Sequence, residues 1–254
     1  MSDRPLAAVI MAAGQGKRMN NPDLAKVMNT LGGIPLVQHV IRLARTAGAD
    51  PIIVVVGHRR EHVIAFLSEQ EPDVTIAVQA EQLGTGHAVQ QAIPALNDFD
   101  GDVLILSGDA PLTRPETLRD ALAVHRESRA SVTVLTAVLP DPTGYGRVIR
   151  GDDQRIMRIV EHKDATDEER AVHEINSGIY VFEMNPLVDA LGRITNQNAQ
   201  GEYYLPDVFE LFYRDTRVMV PFEVASFDEL RGVNTVAQLQ ELEEIYAARQ
   251  KRAE

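Results

Sequence analysis

Short apolar runs alternate with segments of helical periodicity through the first half of this chain. The runs lie at residues 7–11, 52–56, 75–78, 103–106 and 132–138, and the periodic segments at 35–46, 61–67, 85–93 and 115–125. Such alternation is typical of βαβ units, in which parallel strands are covered by crossover helices. The pattern therefore predicts an α/β fold, with a mostly parallel mixed sheet and helices on both faces.

The second half of the chain has a different pattern. Residues 146–150 and 155–161 flank a Gly-Asp-Asp turn, which predicts a hairpin, and residues 175–182 predict another strand. Apolar residues recur with helical spacing at 235–251. We therefore expect an antiparallel extension of the sheet, one α/β domain at 1–232, and a C-terminal helical arm at 233–254.

Composition excludes several classes of protein. The chain of 254 residues contains no cysteine, which excludes disulfides, thiol catalysis and cysteine-ligated metals and favours a cytoplasmic location. Its net charge of −12 disfavours a nucleic-acid partner. The longest apolar run, Leu6 to Ala13, is far below the roughly 18 residues of a membrane span. It could also be the core of a signal peptide, but a glycine-rich basic loop follows it in place of a cleavage site, and we interpret it as a buried strand.

The loop after the first strand suits an anion. Gly14 and Gly16 let backbone amides approach a phosphate, while Lys17, Arg18 and Lys26 supply positive charge. The P-loop and dinucleotide-binding patterns both fail here, because Met, Arg and Met stand at positions that those patterns reserve for other residues. On its own, the loop is also compatible with a tight turn flanked by solvated cations.

Polar residues follow two other predicted strands at the same edge of the sheet, where open α/β sheets bind ligands. Asp109 follows residues 103–106 on a glycine hinge, and a lone carboxylate there suits Mg²⁺, whose remaining ligands are phosphate oxygens and water. The alternative is a turn aspartate. Gln79 and the segment from Gly84 to Gly86 could present amides to a base or phosphate, or only cap a helix with Thr85 as the N-cap residue.

One motif points to a different class of protein. Residues 58–62 read His-Arg-Arg-Glu-His, the H-x-x-E-H pattern of inverted zinc proteases. Three specified positions in five recur by chance, and no third zinc ligand is evident downstream. A solvated first helical turn is the favoured interpretation.

Taken together, the motifs resemble the uridylyltransferase domain of bacterial N-acetylglucosamine-1-phosphate uridylyltransferases along nearly the whole chain. The matching segments are 11–19 (MAAGQGKRM), 79–87 (QAEQLGTGH), 108–112 (GDAPL), 141–147 (DPTGYGR), 161–165 (EHKDA), 174–178 (EINSG), 200–204 (QGEYY) and 232–234 (GVN).

This resemblance implies a Rossmann-like, glycosyltransferase-A-like nucleotidyltransferase fold and a set of site residues. The implied groups are Arg18 and Lys26 as catalytic cations on the triphosphate; Ala12, Ala13, Gly14, Gln79, Gly84 and Thr85 at the nucleotide; Asp109 and Asn234 as Mg²⁺ ligands; and Gly146, Glu161, Asn176 and Tyr204 at the sugar phosphate. The implied partners are small molecules, UTP and a sugar-1-phosphate, with no nucleic acid and no membrane.

The implied chemistry is attack of the sugar-1-phosphate oxygen on the α-phosphorus of UTP, in line with departing pyrophosphate. Positioning and charge neutralisation would supply the catalysis, without a protein nucleophile or a general base. Another sugar phosphate or TTP is an alternative, although Glu161 and Asn176 favour an N-acetylated sugar. A non-catalytic nucleotide-sugar sensor is a second alternative, against which the retained metal ligands argue.

The bifunctional members of this family continue into a β-helix that carries acetyl transfer and trimerisation, whereas the sequence here stops at Glu254. We therefore expect no acetyltransferase activity, and a monomer or weak oligomer. Two smaller departures are Lys17, where Thr or Ser is frequent, and Pro206, where Thr often follows Tyr-Tyr-Leu.

A third departure gives the first testable prediction. The family's Leu-x-Pro-Lys reads Leu24-Ala25-Lys26 here, so the proline that stiffens the approach to the lysine is missing. We expect weaker triphosphate binding without loss of chemistry. Ala25→Pro should lower the KM for UTP in steady-state assays and leave kcat nearly unchanged, and an unchanged KM would contradict this account.

Overall fold

The computed structural model describes residues 4–16, 19 and 24–253. The strands are β1 (Leu6–Ala12), β2 (Thr30–Leu31), β3 (Ile34–Pro35), β4 (Ile52–Val56), β5 (Thr75–Val78), β6 (Asp102–Ser107), β7 (Val132–Val138), β8 (Gly146–Arg150), β9 (Ile156–Val160), β10 (Glu174–Glu183) and β11 (Met219–Glu223). The helices are α1 (Leu36–Thr46), α2 (Arg60–Gln70), α3 (Thr85–Ala92), α4 (Pro115–Glu127), α5 (Asp167–Arg170), α6 (Met184–Leu191), α7 (Asp207–Arg214) and α8 (Val236–Ala253). Three single-turn 3₁₀ helices lie at Lys26–Met28, Ile93–Leu96 and Phe227–Glu229.

A mixed sheet organises the fold, as the sequence predicts. Its strand order is β11-β7-β10-β6-β1-β4-β5, and β8 and β9 extend it from β10. The neighbours β6, β1, β4 and β5 run parallel, whereas β10 is antiparallel to β6, β7 and β8. The strands predicted from the apolar runs are confirmed within one residue at each end. The parallel half therefore presents four carboxyl ends along one edge.

Helices cover both faces of this sheet because the central strands are apolar on both sides. Along β1, Ala8 and Ile10 pack into a core with α1, α2 and α4, while Ala7 and Val9 pack into a second core with α3, α6 and α7. Alternate residues of a strand point to opposite faces, so one continuous apolar run serves both cores.

The C-terminal helix α8 packs against β2. Leu242 is fully buried in a third cluster that also contains Met19, Leu31 and Leu112. The ring of Tyr246 lies so close to Gly32 that a Cβ atom there would be 2.4 Å from it. The division of the chain at residue 232 stays a prediction. No helix within the described residues is both long and apolar enough to cross a membrane.

The second core contains an aromatic cluster that gives a stability prediction. The Phe182 ring is fully buried, with centroids 5.5 Å from Tyr180, 6.3 Å from Phe209 and 6.2 Å from Phe212. Truncation would leave a cavity between β10 and α7. Phe182→Ala should lower the free energy of unfolding by about 3–5 kcal/mol in urea denaturation.

Val218→Ala is the matched control, because Val218 is half exposed and its truncation leaves no cavity. We expect this variant to change stability by less than about 0.5 kcal/mol. Equal destabilisation by the two variants would contradict this description of the core.

Candidate active site

A cavity of about 500 Å³ opens at the carboxyl edge of the parallel strands. Its walls come from the loop after β1, the loop between β5 and α3, the end of β6, and the segments that precede α7 and α8. The lining residues are Met11, Ala12, Ala13, Gly14, Gln15, Gly16, Lys26, Val27, Gln79, Gln82, Gly84, Thr85, Ala88, Ser107, Asp109, Glu202 and Asn234. Most of the nucleotide and metal residues implied by the resemblance are therefore brought together in one cavity.

The glycine-rich loop forms one wall. Ala12 ends β1, and Ala13 and Gly14 follow it along the cavity. Gly16 has a φ of +59°, and a Cβ atom there would lie 2.9 Å from the Cβ of Lys26, so only glycine suits both the conformation and the approach. Arg18, which the resemblance assigns to the triphosphate, lies outside the described residues.

Gln79 and Gly84 form the opposite wall. Gln79 is 3% exposed, and its side-chain amide donates to the carbonyl of Gly84 at 2.9 Å. Gly84 has a φ of +107°, and a Cβ atom there would lie 2.5 Å from the carbonyl oxygen of Tyr203. A side chain at position 84 is thus excluded on two grounds.

Thr85 is not the N-cap residue of α3, so the helix-capping alternative for this residue is wrong. Gly84 is the N-cap residue of α3, and Thr85 is its first helical residue. The Thr85 hydroxyl accepts a hydrogen bond from the amide of Leu205 at 3.0 Å, and the amide of Gly86 donates to the Tyr203 carbonyl at 2.8 Å. This segment therefore anchors the chain that precedes α7.

Lys26, Asp109 and Asn234 meet on the floor of the cavity. The Lys26 ammonium forms an ion pair with Oδ2 of Asp109 and donates to Oδ1 of Asn234 at 3.2 Å. The Ser107 hydroxyl donates to Oδ1 of Asp109 at 2.6 Å. Ala25, before the lysine, has a φ of −60°, which proline also adopts, so the backbone already has the conformation that the family's proline imposes.

The same oxygens suit a divalent cation. The carboxylate of Asp109 and the amide oxygen of Asn234 both face one positive charge, the Lys26 ammonium. Carboxylate and amide oxygens are ligands of Mg²⁺, which keeps several positions for phosphate and water. In contrast, the described part of the chain contains no group of three His, Cys, Asp or Glu side chains placed to hold a metal, His58 and His62 included.

Three residues that the resemblance assigns to the sugar phosphate lie side by side across three strands. We call Gly146, Asn176 and Glu161 the sugar row. Gly146 on β8 pairs with Asn176 on β10, and Glu161 directly follows β9. A Cβ atom on Gly146 would lie 3.5 Å from both the Glu161 carboxylate and the Cβ of Asn176. Asn176 is held in turn, because its amide donates to the Tyr180 hydroxyl at 2.8 Å.

Burial raises the pKa of Glu161, and the charges of Asp164, Asp207 and Glu202 raise it further. No described side chain donates a hydrogen bond to its carboxylate, which leaves both oxygens available to a ligand. Glu202 lines the first cavity, and Tyr204, two residues later, lines a second cavity together with Glu161, so the row lies near the first cavity.

Tyr204 lies near Glu161 and does not line the first cavity. It is 6% exposed, and its hydroxyl donates to Asp164 at 3.3 Å and accepts from the Gln200 amide at 2.7 Å. Burial raises its pKa to about 12. Together with Glu161 it lines a second cavity of about 490 Å³, so it is brought to the sugar row but not to the first cavity.

Several residues of the site have no role predicted from the sequence. These are Gln82 and Glu202, both in the cavity wall, and Ser107, the partner of Asp109. The sequence indicates these residues only by their position, since each lies within one of the matching segments or next to one.

Comparison with known proteins agrees with this geometry. The profile of the family described as nucleotidyl transferase matches residues 7–227. The chain is 50% identical over 236 residues to the protein named bifunctional protein GlmU of Geobacter metallireducens, and 45% identical over 244 residues to that of Acetivibrio thermocellus. These matches cover 93% and 96% of this chain but 49% and 52% of those proteins, so the chain spans about half the length of the curated relatives it matches.

Solved structures share the fold at low sequence identity. A UDP-glucose pyrophosphorylase complexed with UDP-glucose superposes with a TM-score of 0.77 at 17% identity, covering 96% of this chain and 99% of the other. A putative glucose-1-phosphate thymidylyltransferase from Bacillus anthracis does so with a TM-score of 0.74 at 19% identity, covering 94% of each. The resemblance that the motifs indicated is confirmed, and with a profile match over most of its length the chain belongs to the nucleotidyl transferase family.

Proposed function

We propose that this protein transfers a uridylyl group from UTP to N-acetylglucosamine-1-phosphate, forming UDP-N-acetylglucosamine and pyrophosphate. The observation that carries the proposal is the meeting of Lys26, Asp109 and Asn234 on the floor of the cavity that the glycine-rich loop lines. A cation and two cation-binding oxygens there suit a phosphoryl centre between two substrates. Identity of 45–50% to bifunctional relatives over nearly the whole chain supports it.

The nucleotide would occupy the first cavity. In this proposal the amides near Ala12, Ala13 and Gly14 hold phosphate oxygens, where backbone donors can approach an anion without a side chain in the way. Gln79, Gly84 and Thr85 would contact the base and ribose from the opposite wall. Arg18 would add positive charge to the triphosphate.

Asp109 and Asn234 would hold Mg²⁺. When bound, the ion supplies charge neutralisation for the triphosphate oxygens. The Lys26 ammonium would then leave the oxygens of Asp109 and Asn234 to the ion and bind a phosphate oxygen instead. Each charged group in this largely buried site would thereby keep a partner of opposite charge. Ser107 keeps Asp109 oriented during that exchange.

The amino sugar would lie against the row of Gly146, Glu161 and Asn176, with Tyr204 behind Glu161. Absence of a side chain at Gly146 leaves room for the sugar ring, and the ionised Glu161 accepts hydrogen bonds from its polar groups. The anionic sugar phosphate then attacks the α-phosphorus in line with the departing pyrophosphate, and it needs no general base. We assign residues 1–232 to this transferase domain and 233–254 to its helical arm, with small molecules as the partners.

Pyrophosphate release across a panel of nucleoside triphosphates and sugar-1-phosphates, with Mg²⁺ and with EDTA, tests the proposal. Activity should be highest with UTP and N-acetylglucosamine-1-phosphate and should vanish in EDTA. Asp109→Ala should lower kcat at least ~100-fold, because it removes a metal ligand and leaves Lys26 without its counter-ion.

Asp120→Ala, which removes an exposed carboxylate on α4, is the matched control and should retain full activity. A preference for another sugar phosphate would replace the acceptor. Inactivity with the whole panel would leave a protein that only binds nucleotide sugars.

The raised pKa of Glu161 predicts a pH dependence of the reaction. Because burial raises this pKa, the carboxylate gains its proton at a higher pH than an ordinary glutamate does, and a protonated Glu161 accepts fewer hydrogen bonds from the sugar. For the wild type, kcat/KM for the sugar phosphate should fall as the pH falls through the raised pKa. Glu161→Gln should raise the KM for the sugar phosphate about tenfold and lose this acid limb.

Titration of the substrate phosphate itself remains in Glu161→Gln, so the difference between the two profiles isolates the carboxylate. Glu223→Gln, at an exposed position on β11, is the control and should keep the wild-type profile. Superimposable profiles for wild type and Glu161→Gln would remove Glu161 from the sugar site.

A further inference from the structure

Arg147 is a buried cation to which the proposed chemistry gives no role. The residue is 1% exposed, yet the hydrogen-bond partners of its guanidinium in the described part of the chain include no carboxylate. Burial lowers the pKa of Arg147, whereas the charge of Asp141 raises it from a distance, without a hydrogen bond between the two side chains. A charge buried without a counter-ion is costly unless hydrogen bonds compensate for the lost hydration.

Those hydrogen bonds go to the chain on either side of the sugar row. One terminal nitrogen of Arg147 donates to the carbonyl of Tyr145, and the other donates to Nδ1 of His162 at 3.3 Å and to the carbonyl of Arg170 at 3.5 Å. The Tyr145 carbonyl belongs to the peptide that joins it to Gly146. His162 directly follows Glu161. One side chain therefore links the backbone beside Gly146 to the residue after Glu161.

Strand register places Arg147 behind that row, away from any sugar. Arg147 pairs with Ile175 on one side and Val160 on the other, whereas Gly146 pairs with Asn176. Neighbouring residues of a strand point to opposite faces. The packing agrees, since Ile175 belongs to the first core and Val148, on the Gly146 face, belongs to the second.

We propose that Arg147 is a positioning residue for the acceptor sugar. From behind the sheet it holds the peptide of Gly146 and the residue after Glu161 at a fixed separation, and so sets the width of the place where the sugar lies. This inference rests on the proposed function for the identity of the ligand. The two terminal nitrogens of the guanidinium hold these segments from separate, fixed positions in one plane, whereas an ammonium has all its donors on a single nitrogen.

Arg147→Lys and Arg147→Met test the proposal in the full chain. Both should raise the KM for N-acetylglucosamine-1-phosphate ~10- to 100-fold, as expected for a displaced contact, with the KM for UTP within about twofold of wild type. Calorimetry with UDP-N-acetylglucosamine and with UDP should show weaker binding of the first and unchanged binding of the second.

Arg150→Met is the matched control, because Arg150 lies on the same strand but forms an exposed pair with Glu174 at 2.9 Å. It should leave both KM values unchanged. A lower melting temperature for Arg147→Lys with unchanged KM values, an equal rise in both KM values, or failure of even the lysine variant to fold would overturn the proposal. Inactivity of the wild type with every acceptor would refute the proposed function instead, and the two calorimetric affinities would still decide the role of Arg147.

Discussion

Three distant parts of the chain meet through the ion pair between Lys26 and Asp109. The pair joins residues 83 positions apart, and the bond from Lys26 to Asn234 spans 208 positions. Both charged side chains are largely withdrawn from solvent, so neither tolerates loss of the other. The amide of Val233 donates to the Asp109 carbonyl at 2.9 Å, which ties the entry of α8 to the end of β6. The cavity floor and the packing of the C-terminal helix therefore depend on the same few contacts.

Much of the fold could be predicted because its central strands are buried on both faces. An apolar run such as residues 52–56, bounded by polar segments, leaves little choice of structure, and β4 has those bounds. Strand β11, which contains Pro221, was not predicted from the sequence. Proline argues against a strand in the middle of a sheet, but β11 is the last strand of the order and pairs only with β7. Only tertiary position makes this proline acceptable.

The short helices were missed for a related reason. Helix α7 has eight residues, so its apolar Val208, Phe209 and Phe212 cover barely two turns. A period is hard to recognise over such a length. Its stability comes from packing of these side chains into the second core beside Phe182, which is information that the local sequence lacks.

The site could be predicted only in part for the same physical reason. Strand ends and glycines indicated the edge of the sheet and the loops, because backbone conformation is a local property. The partner of Lys26 was not predicted, since nothing near residue 26 specifies a carboxylate 83 positions away. Nor could the order of Gly146, Asn176 and Glu161 in one row be derived without the register of three strands.

One segment couples the two halves of the site. The Tyr203 amide donates to the Leu83 carbonyl at 2.7 Å beside the nucleotide wall, and Tyr204 bonds to Asp164 beside the sugar row. Glu202, the residue before Tyr203, lines the first cavity, and its charge contributes to the raised pKa of Glu161. A displacement of this segment would thus move both walls together. For the proposed in-line attack, which is sensitive to the placement of the reacting atoms, a shared wall would be a physical means of keeping the two substrates in mutual register.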